Sequence, residues 1–100
     1  MILIENNFCN TMKIGIIGLG FVGLSFASVL GSKKYSVIGV DSDIQKVNNI
    51  LIGKAPFYEP KLDKTLKNAL KNGLKITTEI NSVVTECKLI FIAVGTPQRK

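Results

Sequence analysis

Short apolar runs alternate along this chain with longer segments whose apolar residues recur at helical spacing. The short runs predict strands at 14–17, 36–40, 74–78 and 88–94. The longer segments predict helices at about 22–32, from 42 or 43 to 53, from 62 to 73, and at about 81–86. The segment 54–61 contains Pro56 and Pro60 and is expected to be a loop.

The predicted element order is therefore β-α-β-α-α-β-α-β, which favours an α/β fold with a parallel sheet. Right-handed crossovers give the strands the spatial order 3-2-1-4, the N-terminal half of a Rossmann-type doubly wound sheet. The ligand crevice of such a sheet opens where the order reverses, between strands 1 and 4. We therefore expect the turn at Gly18 to lie beside the turn at Thr96, in a domain that is truncated at its C-terminal end.

Residues 1–11 show no clear period and are interpreted as a peripheral N-terminal extension, or as a misassigned start, before a domain that spans 12–100. The last predicted strand, 88–94, would normally have further strands beside it. If the polypeptide ended at Lys100, we expect this long apolar edge to be uncovered. Such an edge would aggregate or pair with another chain.

Three glycines follow the first predicted strand with the spacing G-x-G-x-x-G, at Gly18, Gly20 and Gly23. Gly18 permits a tight turn, Gly20 has no Cβ to keep a pyrophosphate away, and Gly23 lets the helix pack closely on the strand. The free N–H groups of the next helical turn add an anion site. A glycine-rich turn in an unrelated α/β domain is the alternative, but the order of strand, glycines, helix, strand and acid favours dinucleotide binding.

Asp41 ends the second predicted strand, about 20 positions beyond the glycines, where a ribose-binding carboxylate is expected. It would accept hydrogen bonds from the ribose hydroxyls and repel a 2′-phosphate, which predicts NAD rather than NADP. Asp43 competes for this role, although capping of the second helix is its favoured role. Lys46 can neutralise Asp41, reach the cofactor or be solvated, and Thr96 can contact the cofactor or cap a turn.

Composition narrows the possible functions. The 100 residues are 46% hydrophobic and 20% charged, which indicates one small globular domain. The net charge is +6, but the sequence contains no long basic run. A basic surface that faces an anionic cofactor, or simply solvent, explains this charge as well as nucleic-acid binding does, and we predict no nucleic-acid partner. The absence of histidine excludes histidine general bases and the common histidine-containing zinc sites from this segment, and no metal site is predicted.

Two further features bear on the cellular location. Cys9 and Cys87 form no paired motif, which favours a reducing cytoplasm. The uncharged stretch 14–32 approaches the length of a transmembrane span, but its recurrent glycines and the missing signal-peptide flank argue against a membrane segment.

Four segments together resemble the N-terminal domain of the UDP-glucose/GDP-mannose dehydrogenase family. They are Lys13–Leu24, Val40–Asp43, Pro56–Pro60 and Phe91–Pro97, and the likeness covers residues 12 to 97. The sequence Phe57-Tyr58-Glu59-Pro60 is most similar to UDP-glucose 6-dehydrogenases. Lys61 is a departure, because glycine usually follows this loop in the family.

The resemblance implies a four-electron oxidation of UDP-glucose to UDP-glucuronate with two NAD, in which a cysteine holds the aldehyde as a thiohemiacetal. The family's catalytic cysteine and lysine lie downstream, so neither Cys9 nor Cys87 is assigned that role and the segment contains no catalytic residue. The implied cofactor contacts are Gly18, Leu19, Gly20, Phe21, Val22, Gly23, Asp41, Lys46 and Thr96.

The resemblance also implies a UDP-sugar substrate bound through the missing C-terminal part and a homo-oligomer of the full-length enzyme. It implies a cytoplasmic protein of nucleotide-sugar metabolism and polysaccharide biosynthesis. The alternative is a stand-alone module that binds NAD or another nucleotide and has no catalytic activity of its own.

Overall fold

The computed structural model describes residues 1–7, 9, 11–57 and 59–93. Within these ranges one sheet is flanked by helices on both faces. The strands are β1 (Ile2–Glu5), β2 (Ile14–Ile17), β3 (Val37–Val40), β4 (Lys75–Thr77) and β5 (Leu89–Ile92). The helices are α1 (Phe21–Ser32), α2 (Ile44–Leu51), α3 (Pro60–Lys71) and α4 (Ile80–Glu86). No helix in these ranges has the length and apolar character that crossing a bilayer requires.

The sheet has the order β1-β5-β2-β3-β4. The four strands β2 to β5 are parallel, and β2 lies between β3 and β5, with Ile14 opposite both Val37 and Leu89. The predicted order 3-2-1-4 and the Rossmann-type fold class are therefore confirmed for these strands. Their carboxyl ends share one edge of the sheet, so the glycine turn after β2 and the acid after β3 become neighbours.

The strand β1 corrects the interpretation of residues 1–11 as peripheral. It pairs antiparallel with β5, from Ile2 opposite Ile92 to Glu5 opposite Leu89. The expectation that the outer edge of β5 is uncovered is wrong for this reason. The apolar run at the N-terminus forms a strand because it meets a partner at the far end of the chain, and a local period in the sequence cannot reveal such a partner.

Two cores lie on opposite faces of the sheet. On one face α1 packs against the strands and α3, and Leu24, Ala27 and Leu66 are fully buried. A Cβ added to Gly31 would lie 2.7 Å from the Cβ of Ala69, which shows how closely α1 approaches α3. On the other face α4 packs on β2 and β3, and the core there consists of Ile38, Val40, Val83, Cys87 and Ile90. Cys87 is a small packed side chain, as the sequence predicts.

The loop before α3 ends in a capped helix start. Glu59 is the N-cap, its carboxylate accepts the Lys61 N–H at 3.0 Å, and Pro60 is the first helical residue. Proline suits that position because its missing N–H would have no partner within the helix. Lys61 therefore lies in the first turn of α3, where a side chain is tolerated in place of the glycine usual in the family.

Candidate dinucleotide-binding site

The carboxyl ends of β2, β3 and β4 open onto a cleft of about 300 Å³. Its walls come from the glycine turn after β2, the acidic turn after β3 and the start of α4. The lining residues are Ile17, Gly18, Val40, Asp41, Ser42, Thr78 and Ile80. This is the edge of a doubly wound sheet at which ligands bind.

The three glycines of the motif meet different local demands. Gly18 has φ +98°, which favours glycine, and its N–H donates to the Val40 carbonyl at 2.8 Å. A Cβ on Gly23 would collide with the carbonyl oxygen of Gly18. Gly20 has φ −73° and ψ −165°, and an added Cβ would meet no atom of residues 1–7, 9, 11–57 or 59–93 within 4 Å. The fold itself therefore requires glycine at 18 and 23 but not at 20.

The first turn of α1 follows the glycine turn and carries unsatisfied backbone donors. Gly20 is the N-cap and has no side chain to accept from the backbone, and the first turn contains no acidic residue. The N–H groups of Phe21, Val22 and Gly23 have no carbonyl partner within the helix. With the helix dipole they form a site suited to an anion such as a phosphate.

Asp41 is held by three donors. Its Oδ2 accepts the Leu19 N–H at 2.9 Å and the Lys46 ammonium at 3.1 Å, and its Oδ1 accepts the Asp43 N–H at 3.0 Å. Partial burial would raise the pKa of Asp41. The two backbone donors and the Lys46 ammonium outweigh that effect, so the pKa of Asp41 lies below its ordinary value and the group is ionised at neutral pH.

The contact with Leu19 joins the acid directly to the glycine turn, and sequence reasoning did not foresee it. Asp43, in contrast, behaves as the capping interpretation predicts. Its carboxylate accepts the Gln45 N–H at 3.0 Å and the Lys46 N–H at 3.2 Å at the start of α2. The side chain of Lys46 returns to Asp41, so the possibility that it simply faces solvent is excluded here.

Sequence reasoning also missed residues on the opposite wall. Thr78 and Ile80 line the cleft because β4 lies directly beside β3, as the predicted strand order requires, but no local motif marks either residue as a wall of the cleft. On the other side of the glycine turn, the ring of Phe57 meets that of Phe21 edge to face, with centroids 5.3 Å apart. This contact holds the loop before α3 against the start of α1. The predicted contact residue Thr96 lies outside the described residues.

Residues 12–100 match the NAD binding domain of the UDP-glucose/GDP-mannose dehydrogenase family. The chain belongs to this family. A putative UDP-glucose 6-dehydrogenase of Bacillus subtilis, YtcA, is 40% identical over 88 residues, which are 88% of this chain and 20% of that protein. The GDP-mannose 6-dehydrogenase of Pseudomonas aeruginosa is 40% identical over 90 residues, which are 89% of this chain and 21% of that protein.

Solved structures agree with this membership. A ternary complex of GDP-mannose dehydrogenase from Pseudomonas aeruginosa superposes with a TM-score of 0.82 at 40% identity, over 89% of this chain and 21% of that one. A UDP-glucose dehydrogenase from Pyrobaculum islandicum gives 0.77 at 30% identity, over 90% of this chain and 21% of that one. The chain thus spans about a fifth of the length of these relatives.

The cofactor of this dehydrogenase family domain is NAD, and the described residues fit it. The open backbone at Gly20 and the donors of α1 suit a pyrophosphate, and the ionised Asp41 stands where a ribose would be recognised. Both features lie at the same edge of the sheet, because they follow the carboxyl ends of the adjacent parallel strands β2 and β3.

Proposed function

We propose that this chain is the NAD-binding part of a UDP-sugar 6-dehydrogenase that oxidises UDP-glucose to UDP-glucuronate with two molecules of NAD. The geometry at Gly20 is the observation that supports NAD binding in this proposal. Its backbone conformation is open to any residue, and a methyl group there would touch nothing among the residues that the structure describes. A ligand that must come close to the backbone is therefore the physical reason for glycine at this position.

The roles of the site residues follow from their positions. The N–H groups of Phe21, Val22 and Gly23 would hold the pyrophosphate, and Gly18 and Leu19 would shape the turn that presents them. Asp41 would accept the ribose hydroxyls, and Lys46 would keep Asp41 in place and ionised. We propose Thr96, which follows β5 in the sequence, as a further contact with the cofactor. When bound, NAD supplies the hydride acceptor for the oxidation.

The substrate choice rests on the loop at 57–60. UDP-glucose is supported by the likeness of Phe57 to Pro60 to UDP-glucose 6-dehydrogenases, whereas relatives at the same level of identity include GDP-mannose 6-dehydrogenases. In this proposal the residues that form the thiohemiacetal and build a homo-oligomer belong to the part of the relatives' length that the chain does not span. We also infer a cytoplasmic location, which the two free cysteines support.

One observation favours the alternative of a stand-alone NAD-binding module. The strand β1 pairs with β5 along its full length. Within the described residues, the chain therefore covers the outer edge of β5 with a strand of its own. A module of this kind would bind NAD and show no turnover with any sugar nucleotide.

Calorimetric titration with NAD tests the cofactor site in the 100-residue chain. Asp41→Ala should weaken NAD binding by about 1.5–3 kcal/mol, roughly 10- to 150-fold, since it removes an ionised acceptor. Glu86→Ala is the matched control, because Glu86 forms an ion pair with Lys13 at 3.1 Å, the same length as the Asp41–Lys46 pair, at the other end of the sheet. Equal affinities of the two variants would remove Asp41 from the site.

The natural polypeptide tests the substrate. We expect two NADH per UDP-glucose and little turnover with GDP-mannose. Turnover with GDP-mannose alone would overturn the substrate while leaving the cofactor site intact. NAD binding without turnover of either sugar nucleotide would select the stand-alone module.

A further inference from the structure

The outer edge of β5 is the place that a fifth parallel strand takes in a complete doubly wound sheet of order 3-2-1-4-5-6. In this chain β1 occupies that edge and runs antiparallel to β5. The residues of β1 lie outside the segment 12–100 that matches the family. One edge of the sheet therefore has two possible occupants that cannot bind together.

The hydrogen-bond directions identify the groups that both occupants would use. The Asn6 N–H donates to the Lys88 carbonyl at 2.7 Å, whereas the Ala93 N–H donates to Ile17 in β2 at 2.8 Å. Because the direction alternates along a strand, the backbone groups of Ile90 and Ile92 face β1. Their partners are Ile4 and Ile2, and the backbone of Leu3 faces away from the sheet.

The side chains of β1 add little burial to this pairing. Ile2, Leu3 and Ile4 are 61%, 55% and 44% exposed, whereas Ile16 in β2 is fully buried. Apart from the backbone ladder, Glu5 and Lys88 form an ion pair at 3.7 Å, and Glu5 remains largely exposed. The strand β1 is therefore held mainly by backbone hydrogen bonds, which another strand can replace.

The residues after β1 are bound more firmly, to the carboxyl end of α4. The Asn6 side chain donates to the carbonyls of Val84 at 2.8 Å and Cys87 at 3.1 Å. The Thr11 hydroxyl donates to the Glu86 carbonyl at 2.9 Å, and Cys9 is buried beside it. Residues 2–5 can therefore leave the sheet while Asn6, Cys9 and Thr11 stay attached.

We propose that the outer edge of β5 is a strand-exchange site, at which β1 is replaced by the fifth strand of a complete dinucleotide domain. The occupant is argued from chain length. The match to the family runs to residue 100, whereas the relatives are about five times longer than the matched segment. We place the fifth strand of the domain in the part of these relatives that follows the matched segment, because a complete doubly wound sheet continues beyond its fourth strand. This inference does not depend on NAD binding.

Amide hydrogen exchange of the unmodified chain gives the first test. A detachable β1 exposes the amides of Ile90 and Ile92, which should exchange at least about tenfold faster than those of Phe91 and Ala93 through a local opening. Equal protection of all four amides, lost only on global unfolding, would overturn the proposal.

Two proline variants make a matched pair for the second test. Ile4→Pro removes an N–H that faces β5, whereas Leu3→Pro removes one that faces away. We expect Ile4→Pro to abolish the protection of Ile90 and Ile92 and Leu3→Pro to retain it. A synthetic peptide with the sequence of residues 1–7 should restore that protection in Ile4→Pro. Failure of the peptide, or formation of a defined dimer by Ile4→Pro instead, would overturn the proposal, and a dimer would mean that the edge binds a second copy.

The identity of the occupant is tested by extending the chain with the segment that follows the matched region in the Bacillus subtilis relative. The amides of Ile90 and Ile92 should stay protected in this longer chain, while the amide of Ile4 loses its protection. If Ile4 remains protected there, β1 is a permanent strand of the sheet and the proposal fails.

Discussion

A methyl group at Gly20 is expected to remove most NAD binding while leaving the fold intact. Gly20 has a backbone conformation that any L-residue adopts, with φ −73° and ψ −165°, and its added Cβ would meet no atom of the described part of the chain within 4 Å. Alanine is a poorer N-cap than glycine by about 1 kcal/mol, but it also reduces the entropy of the unfolded chain by about 0.4–1 kcal/mol. The free energy of unfolding of Gly20→Ala should therefore change by less than about 1 kcal/mol.

The effect on binding is larger because the methyl group stands beside the donors of α1. The first-turn N–H groups would bind the pyrophosphate through charge-assisted hydrogen bonds, each of about 1.5–3 kcal/mol. Keeping the pyrophosphate away from one of these donors should weaken NAD binding roughly 10- to 150-fold. Calorimetric titration gives the affinity, and urea unfolding of the same samples gives the stability.

Gly23→Ala is the contrasting variant. Its Cβ would collide with the Gly18 carbonyl oxygen and lie 3.2 Å from the Cβ of Ala93, so unfolding should become easier by about 1–3 kcal/mol. Gly20→Ala should thus lose affinity for NAD, whereas Gly23→Ala should lose stability. Parental NAD affinity in a folded Gly20→Ala protein would refute the reasoning that a ligand explains this glycine.

Three further predictions concern groups around the sheet. Asp41 has a lowered pKa in the folded state, so it stabilises the fold above about pH 4 and this contribution is lost as the pH falls further; Asp41→Asn should flatten the acid side of the urea-unfolding profile, and an unchanged profile would contradict the assignment. Burial, with smaller contributions from Cys9 and Glu86, raises the pKa of Cys87 to about 11, so iodoacetamide at pH 8 should not label Cys87 in the folded chain; rapid labelling seen by mass spectrometry would count against this burial. Asn6→Ala leaves two carbonyls at the end of α4 without this partner, and urea unfolding should show a loss of about 1–2 kcal/mol, whereas an unchanged midpoint would mean that water replaces the amide.

The parts of the fold that local sequence predicts are those with a local cause. The glycine turn, the cap at Asp43 and the four parallel strands each depend on neighbours in the sequence, or on the handedness of a crossover. The strand β1 depends on β5, a partner at the opposite end of the chain. Its apolar residues fit an extension as well as a strand, because nothing nearby in the sequence tells the two apart.

The candidate site divides in the same way. The sequence identifies Gly18, Gly20 and Asp41 through their spacing, and the structure brings the acid and the glycine turn together through the Leu19 N–H. Thr78 and Ile80 enter the cleft only because β4 is the neighbour of β3. Residues of this second kind line the walls of the cleft, and they require the sheet order before they can be named.

The contacts of Asp41 also bear on the choice between NAD and NADP. A carboxylate offers about four acceptor positions, and Leu19, Asp43 and Lys46 already use three of them. One ribose hydroxyl would fit the remaining position. A 2′-phosphate has no proton to donate and would bring its charge beside a carboxylate whose lowered pKa keeps it ionised. Lys46 could turn toward that phosphate only by leaving Asp41, so the arrangement that would accept a ribose hydroxyl would oppose its phosphorylated form.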